Sequence, residues 1–263
     1  MRMSFTVALR MSLHQRPSST RTVIRCVLHD LVADQNQTAS LDSLAKNNAG
    51  LFTKTLEVGL HNRAFDIAVH SLKDMPTTLP AGLVLASITA REDPEDALVV
   101  HPDHKGCGGI AKLPKGAIVG TSSLRRAALI RKLHPHVVPE VVRGNLQTRL
   151  AKLDATTWDG KTWPRHYDAL ILAAAGLKRL GWQDRIEAPL GADSFPYGVG
   201  QGALGIECRG SDHEVIDMLV AACEHGPTAS RCRAERAFLR TLQGGCQVPI
   251  AVTSKVVDTT LHL

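Results

Sequence analysis

The sequence predicts an α/β protein with largely parallel sheets. Short apolar runs rich in β-branched residues alternate with amphipathic runs of about three helical turns. No self-similar period of solenoid length interrupts that alternation. The 263 residues, 44% hydrophobic and 21% charged, are enough chain for one large domain or two ordinary ones with real cores.

The regular pattern starts after Leu41. Leu51, Phe52, Leu56 and Leu60 fall at near-helical spacing in LFTKTLEVGLHNR, which predicts an amphipathic helix. FDIAVH reads as a strand, Pro76 and Pro80 bracket a loop, and LVLASITA and DALVVH read as further strands. AIVG (strand), SLRRAALIRKL (helix), VVPEVV (strand) and NLQTRLAKL (helix) follow, then DALILAAAG as a strand leading into a helix at LKRLG. GADSFPYGVGQGALGIECRG is dense in Gly and Pro before it becomes strand-like at ALGIEC, as expected of a crossing between two domains. Ser211 and Glu214 have the spacing of a capping box, with Ser at N-cap and Glu at N3. They open the helix HEVIDMLVAACE. A second helix is expected from about Thr228 to Leu242, ending at Gly244-Gly245.

Composition excludes several function classes. The net charge of +6 comes mostly from residues 1–29, which hold five Arg and no acid. The remainder carries 26 basic and 25 acidic residues, a balance of +1, whereas a nucleic-acid-binding body carries its own basic excess. Ten aromatic residues in all make a base-stacking surface a poor expectation. The Arg- and Ser-rich segment 1–29 matches an organellar transit peptide or an aberrant start. The longest apolar run, Ala169–Ala175, is far short of the ~20 residues of a spanning helix. Six widely spaced cysteines without a C-x-x-C pair argue against a zinc site and a disulfide framework, and for reduced thiols in an intracellular protein. His101-Pro-Asp-His104 and His134-Pro-His136 lie in Pro-containing loops with no matching distant cluster, so no metal site is expected.

Four places concentrate polar residues at the ends of apolar strands, where open α/β sheets bind ligands. In His70-Ser71-Leu72-Lys73-Asp74 a carboxylate can stabilise a cation or move a proton, and Lys73 can bind an anion. The blander alternative is a loop whose Ser and Asp cap backbone groups. Gly120-Thr121-Ser122-Ser123-Leu124-Arg125-Arg126 offers hydroxyls, backbone N–H groups and a helix start to an anion. Its arginines oppose the helix dipole, an odd choice for stability alone. The alternative is a simple N-cap with solvated Arg side chains. Val142-Arg143-Gly144-Asn145-Leu146-Gln147-Thr148-Arg149 repeats the arrangement, and guanidinium groups grip carboxylates in a bidentate way. Two such junctions point to a ligand with several carboxylates. Finally, Gly244-Gly245-Cys246 leaves a cysteine unobstructed as a nucleophile, although a free cysteine is more often a small buried hydrophobe.

In this order the motifs resemble the porphobilinogen deaminase (hydroxymethylbilane synthase) family. The matching stretches are GLFTKTLE, DIAVHSLKDMPTTLP, REDPEDALV, GTSSLRRAALI, VRGNLQTRL, AAAGLKRLG, VGQGALGIECR and AERAFLRTLQGGCQVPIAV, between Gly50 and Val252. The resemblance implies a transferase of haem and chlorophyll synthesis. It joins four porphobilinogen units head to tail, releasing ammonia, on a dipyrromethane primer attached by a thioether to Cys246. By the same resemblance Asp74 is the catalytic aspartate, stabilising the azafulvene cation left when ammonia departs. Lys73, Arg125, Arg126, Arg143 and Arg149 hold carboxylates of cofactor and growing chain, and Ser71, Thr121 and Ser123 contact the cofactor. Lys54, Arg125, Arg149 and Gln201 bind substrate. A primer plus four added units brings about a dozen carboxylates, which suits arginines at several strand ends.

The implied fold is two periplasmic-binding-protein-like lobes plus a small α+β C-terminal domain: lobe 1 over 30–93 and 194–210, lobe 2 over 94–193, and 211–263 bearing the cysteine loop. A monomer without metal, nucleic-acid or membrane partner is expected, in the cytoplasm, or in a plastid or mitochondrion if residues 1–29 are a transit peptide. The chain departs from the family in places. Arg10-Met11-Ser12-Leu13 only faintly echoes the family's opening R-x-S-x-L-A motif, whose Arg binds substrate. Ala49 stands where the family has a lysine before G-L-F, while Lys54 remains. The chain ends 17 residues after Cys246, so a truncated C-terminal domain with an exposed sheet edge is expected. The alternative readings are a non-catalytic two-lobe anion or solute binder and an inactive relative. Cys246 and Asp74 discriminate, because a solute binder needs neither.

Overall fold

The computed structural model describes residues 7–16, 19–27, 51–158, 160–242 and 248–263, with side chains from residue 54 onward. The chain forms two compact units, one of residues 1–91 and 203–234, the other of residues 92–202 and 235–263.

The first unit is built on a five-stranded sheet. Its strands are β1 (Val7–Arg16), β2 (Ser19–Val27), β3 (Ile67–Ser71), β4 (Leu83–Ile88) and β12 (Leu204–Arg209), in the order β2-β1-β3-β12-β4. β1 and β2 form a hairpin, and β1 joins the sheet along β3 with Val7 opposite Val69. Helix α1 (Leu51–His61) buries Leu56 and Leu60 against Phe65, Ala68 and Leu83. α5 (His213–Cys223) sets Leu219 in a separate cluster with Ile67, Ala86, Ile206 and Cys208. A third cluster gathers Leu72, Met75, Ile88 and Ala203 around Ala229 and Cys232 of α6 (Gly226–Thr241).

The second unit carries β5 (Asp96–Val100), β6 (Ile118–Gly120), β7 (Val138–Glu140), β10 (Ala169–Ala173) and β11 (Ala188–Leu190), in the order β11-β5-β10-β6-β7. Every residue of β5 is buried. Ala97 and Val99 pack into one apolar cluster and Leu98 and Val100 into another, as a strand covered on both faces requires. α2 (Leu124–Leu133) follows β6, α3 (Leu146–Leu153) follows β7, and α4 (Ala174–Arg179) follows β10. Two small hairpins complete the described elements, β8 (Thr157–Trp158) with β9 (Lys161–Thr162) and β13 (Lys255–Val257) with β14 (Thr260–His262).

Most larger elements between Leu51 and Thr241 are those the sequence pattern predicts, but β1 and β2 lie in the segment read as a transit peptide or aberrant start, β8, β9, β11, β13 and β14 were not expected, and the sheets are not largely parallel. In the first unit every neighbouring pair is antiparallel; in the second only β10/β6 and β6/β7 are parallel. The reason is connectivity. β12 arrives from residues beyond the second unit and inserts between β3 and β4, satisfying the open edges of both. Hydrophobic periodicity carries no strand direction, so the alternation could not report this.

Two helix starts also differ from expectation. α4 begins at Ala174 rather than Leu177, because an apolar alanine run suits a helix as well as a strand. Asp212, not Ser211, is the N-cap of α5, and no side-chain cap bond forms. The Asp212 carboxylate instead accepts from Arg209 Nε at 2.6 Å.

Gly202 is the last residue of the second unit before the chain passes to the first. It has φ +88°, and a Cβ there would lie 2.2 Å from the Glu92 carbonyl oxygen. Gly202→Ala is therefore expected to destabilise the protein by about 2–4 kcal/mol. A thermal melt unchanged from the parent would contradict this.

Candidate functional site

The expected site residues fall into two groups, each within its own unit. In the first unit β3 ends at Ser71 and a single 3-10 turn, Leu72–Asp74, follows. Leu72 and Met75 anchor the turn in the core, and Leu72 N–H donates to Ala203 O at 3.0 Å. With those two side chains inward, Lys73 is half-buried and Asp74 exposed. Lys54 is exposed on α1.

Immediately before the turn lies a buried pair that the sequence did not single out. His70 Nε2 is 3.0 Å from Glu207 Oε2, and both side chains are almost fully buried. Glu207 Oε1 has no hydrogen-bond partner among the described residues. Glu57 on α1 is close enough that its carboxyl is raised above the usual range, first by burial and then by the Glu207 charge.

In the second unit the structure brings both arginine-bearing junctions to the carboxyl ends of neighbouring parallel strands, β6 and β7. Thr121 N–H donates to Glu140 O at 2.7 Å, joining the two strand ends. Thr121 Oγ1 accepts from Ser123 N–H, and Ser123 caps α2 by accepting from Arg126 N–H. At the second junction Gly144 has φ +114°, and a Cβ there would collide with Thr148. Asn145 caps α3 through Thr148 N–H at 2.8 Å, and Arg149 Nε donates to Gly144 O at 2.7 Å. Arg143 is half-buried.

Arg125 and Arg126 are buried, not solvated. Both reach Asp96, the first residue of β5, which is 0% exposed. Arg125 donates from Nη2 to Oδ2 at 2.7 Å, and Arg126 donates to Oδ1 from Nε at 3.0 Å and Nη2 at 2.7 Å. Gln201 joins them. Its Nε2 donates to Asp96 Oδ1 at 2.8 Å and to Pro94 O at 2.7 Å, and its Oε1 accepts from Arg126 at 3.3 Å. Burial alone would raise the Asp96 pKa; the two guanidinium groups outweigh it and hold the carboxyl below the usual range. Burial lowers Arg125, and Asp96 partly restores it. Asp96 was missed because its partners lie 29 and 30 residues away along the chain. A carboxylate opening an apolar strand in REDPEDALV was its only sequence signal.

A depressed carboxyl pKa gives a definite pH dependence. The stability that Asp96 contributes is present above its unfolded pKa of about 4 and is lost as pH falls through the lower folded value. The protein should therefore lose thermal stability steadily below about pH 4. In Asp96→Asn that acid-dependent loss should be smaller, a difference that melts across a pH series would detect.

Cys246 lies outside the described residues. The segments on either side of it are tied together within the second unit. Glu235 of α6 is fully buried and accepts from Ser254 Oγ at 2.5 Å and from Gly200 N–H at 2.8 Å. Ser254 N–H in turn donates to the Tyr197 hydroxyl at 2.8 Å. Among the described residues no group of three or more His, Cys, Asp and Glu side chains could hold a metal ion, and no helix is long and apolar enough to cross a membrane.

The donor set of the second unit fits a polycarboxylate. Two arginines face one internal carboxylate, so the cluster keeps one net positive charge, with threonine and serine hydroxyls at the same strand end.

Comparison with known proteins agrees. The family model for "Porphobilinogen deaminase, dipyromethane cofactor binding domain" matches residues 6–217, and that for "Porphobilinogen deaminase, C-terminal domain" matches residues 229–263. The porphobilinogen deaminase of Synechococcus elongatus is 55% identical over 225 residues, and that of Nostoc sp. 57% identical over 222, each match covering 84% of this chain. The matched stretches span 66% and 65% of those relatives' own lengths, just under two thirds. Among solved structures, the second substrate binding domain of a putative amino acid ABC transporter from Streptococcus pneumoniae is similar with a TM-score of 0.38 at 11% identity, over 80% of this chain and 87% of that one.

Proposed function

Because the chain belongs to the porphobilinogen deaminase family, we propose that it joins four porphobilinogen units into hydroxymethylbilane, releasing ammonia, on a dipyrromethane primer at Cys246. The observation that carries the reading is the pair of arginine-bearing strand ends, Thr121–Arg126 and Arg143–Arg149, on neighbouring parallel strands of a unit that retains net positive charge there. The primer, when bound, supplies the pyrrole carbon on which the chain grows.

The roles of this chain's residues follow from their chemistry. Cys246 holds the primer through its sulfur. Arg125, Arg126, Arg143, Arg149 and Lys73 bind acetate and propionate groups, with Ser71, Thr121 and Ser123 contributing hydroxyls to the primer. Lys54, Arg125, Arg149 and Gln201 bind the incoming substrate. Asp74, exposed at the tip of a turn pinned by two core residues, presents its carboxylate to the positive charge that appears on the substrate as ammonia leaves. It also accepts from pyrrole N–H groups.

The same reading makes the protein a monomer without nucleic-acid or membrane partners, located in the cytoplasm or, with residues 1–29 as a transit peptide, in a plastid or mitochondrion. It divides the chain into lobe 1 (30–93 and 194–210), lobe 2 (94–193) and a C-terminal part (211–263).

The test is an intact mass of the purified protein with an Ehrlich's-reagent colour reaction on the same sample. The expected result is a mass excess of two porphobilinogen units less two molecules of ammonia, with colour. An unmodified mass without colour, even after incubation with porphobilinogen, would overturn the proposal in favour of a non-catalytic anion binder or an inactive relative.

A further inference from the structure

We propose that Asp96 is a positioning residue for ligand binding, fixing the Arg125 guanidinium so that its remaining N–H groups meet a ligand carboxylate. The inference rests on the activity proposed above and concerns a residue given no role there.

Arg126 is nearly saturated inside the unit. Four of its five N–H groups donate, two to Asp96 Oδ1, one to Gln201 Oε1 and one to Ile171 O. Arg125 uses only two, to Asp96 Oδ2 and to Pro196 O at 2.6 Å. Its other three N–H groups find no acceptor among the described residues. A Cβ built on Gly198 would lie 3.7 Å from Arg125 Nε, so a side chain at 198 would rest against that edge of the guanidinium.

Asp96 therefore does two separable things. It neutralises one of two buried arginines, and its Oδ2 holds the plane of the other. Neutralisation alone could be met by any local change that restores the charge count. Holding Arg125 in plane needs the second carboxylate oxygen at β5, because bidentate recognition of a ligand carboxylate tolerates little misorientation.

The experiment compares the full chain with Asp96→Asn and with Asp96→Asn/Arg126→Gln, which removes one charge of each sign. Steady-state kinetics with porphobilinogen, thermal melts, and phenylglyoxal modification of Arg125 followed by peptide mass spectrometry are read on all three. Asp96→Asn is expected to raise KM about tenfold or more, with a smaller change in kcat. Arg125 should be modified several-fold faster below the melting range, as loss of one of its two tethers would allow. The double variant is expected to recover thermal stability but keep the fast Arg125 modification; its KM is not compared, because Arg126 itself binds ligand carboxylates. If Asp96→Asn does not fold, the Arg125 modification rate of the double variant decides.

A parental KM in Asp96→Asn, or a parental Arg125 modification rate in either folded variant, would overturn the proposal, since Asp96 would then serve charge balance only. If the parent chain carries no primer and turns nothing over, the proposed activity has failed. The Arg125 modification rates still decide whether Asp96 positions that side chain.

Discussion

Cys246→Ser is expected to leave the chain at its unmodified mass, colourless to Ehrlich's reagent and without turnover. A thiolate is the only strong carbon-seeking nucleophile that position can offer near neutral pH; a serine hydroxyl without a neighbouring base is not ionised. The change removes no side-chain volume of consequence, and the contacts that join the flanking segments run through Glu235, Ser254, Gly200 and Tyr197. The variant should therefore still fold while losing all detectable activity, melting below the parent only by the stability that the bound primer supplies. A Cys246→Ser protein that still makes hydroxymethylbilane would sink the proposed mechanism, because no other attachment point has been assigned to the primer.

Asp74→Asn should separate assembly from catalysis. Leu72 and Met75 hold the turn from inside the core, so an exposed, nearly isosteric substitution leaves its shape intact. The primer mass should remain. The loss is of negative charge facing a developing cation, and kcat is expected to fall by about a hundredfold to ten-thousandfold with a much smaller change in KM. Intact mass and steady-state kinetics on the same preparation read both halves. Near-parental kcat would remove Asp74 from the chemistry, and loss of the primer would make its role one of assembly.

Most single elements are legible in the chain because their determinants are local. Leu56 and Leu60 at helical spacing specify the buried face of α1, and Ser123 and Asn145 stand at the N-caps of α2 and α3. Where a local signal failed, a distant partner had competed for the same atoms. The Ser211–Glu214 capping pattern gave way when Arg209 engaged the Asp212 carboxylate while also donating to Leu60 O and Phe65 O across the unit. The arginines of α2 lie in an unfavourable place by helix electrostatics. Their burial became intelligible only when Asp96 appeared beside them.

Hydrophobic period, capping residues and motif order made most of the larger elements after Leu41 legible, with the chemistry they carry, because these are properties of neighbouring residues; the β1–β2 hairpin, in the segment read as a transit peptide or aberrant start, was not among them. Motif order also places Asp74, the arginine-bearing junctions and Cys246 at the ends of particular elements. Tertiary structure alone decided strand direction, with β12 inserting antiparallel between β3 and β4, and the pairing of His70 with Glu207 and of Asp96 with Arg125, Arg126 and Gln201. Those are choices among distant partners for buried polar groups. The cost of leaving a charge or an open strand edge unsatisfied in the interior selects the partner, and no local pattern records that selection.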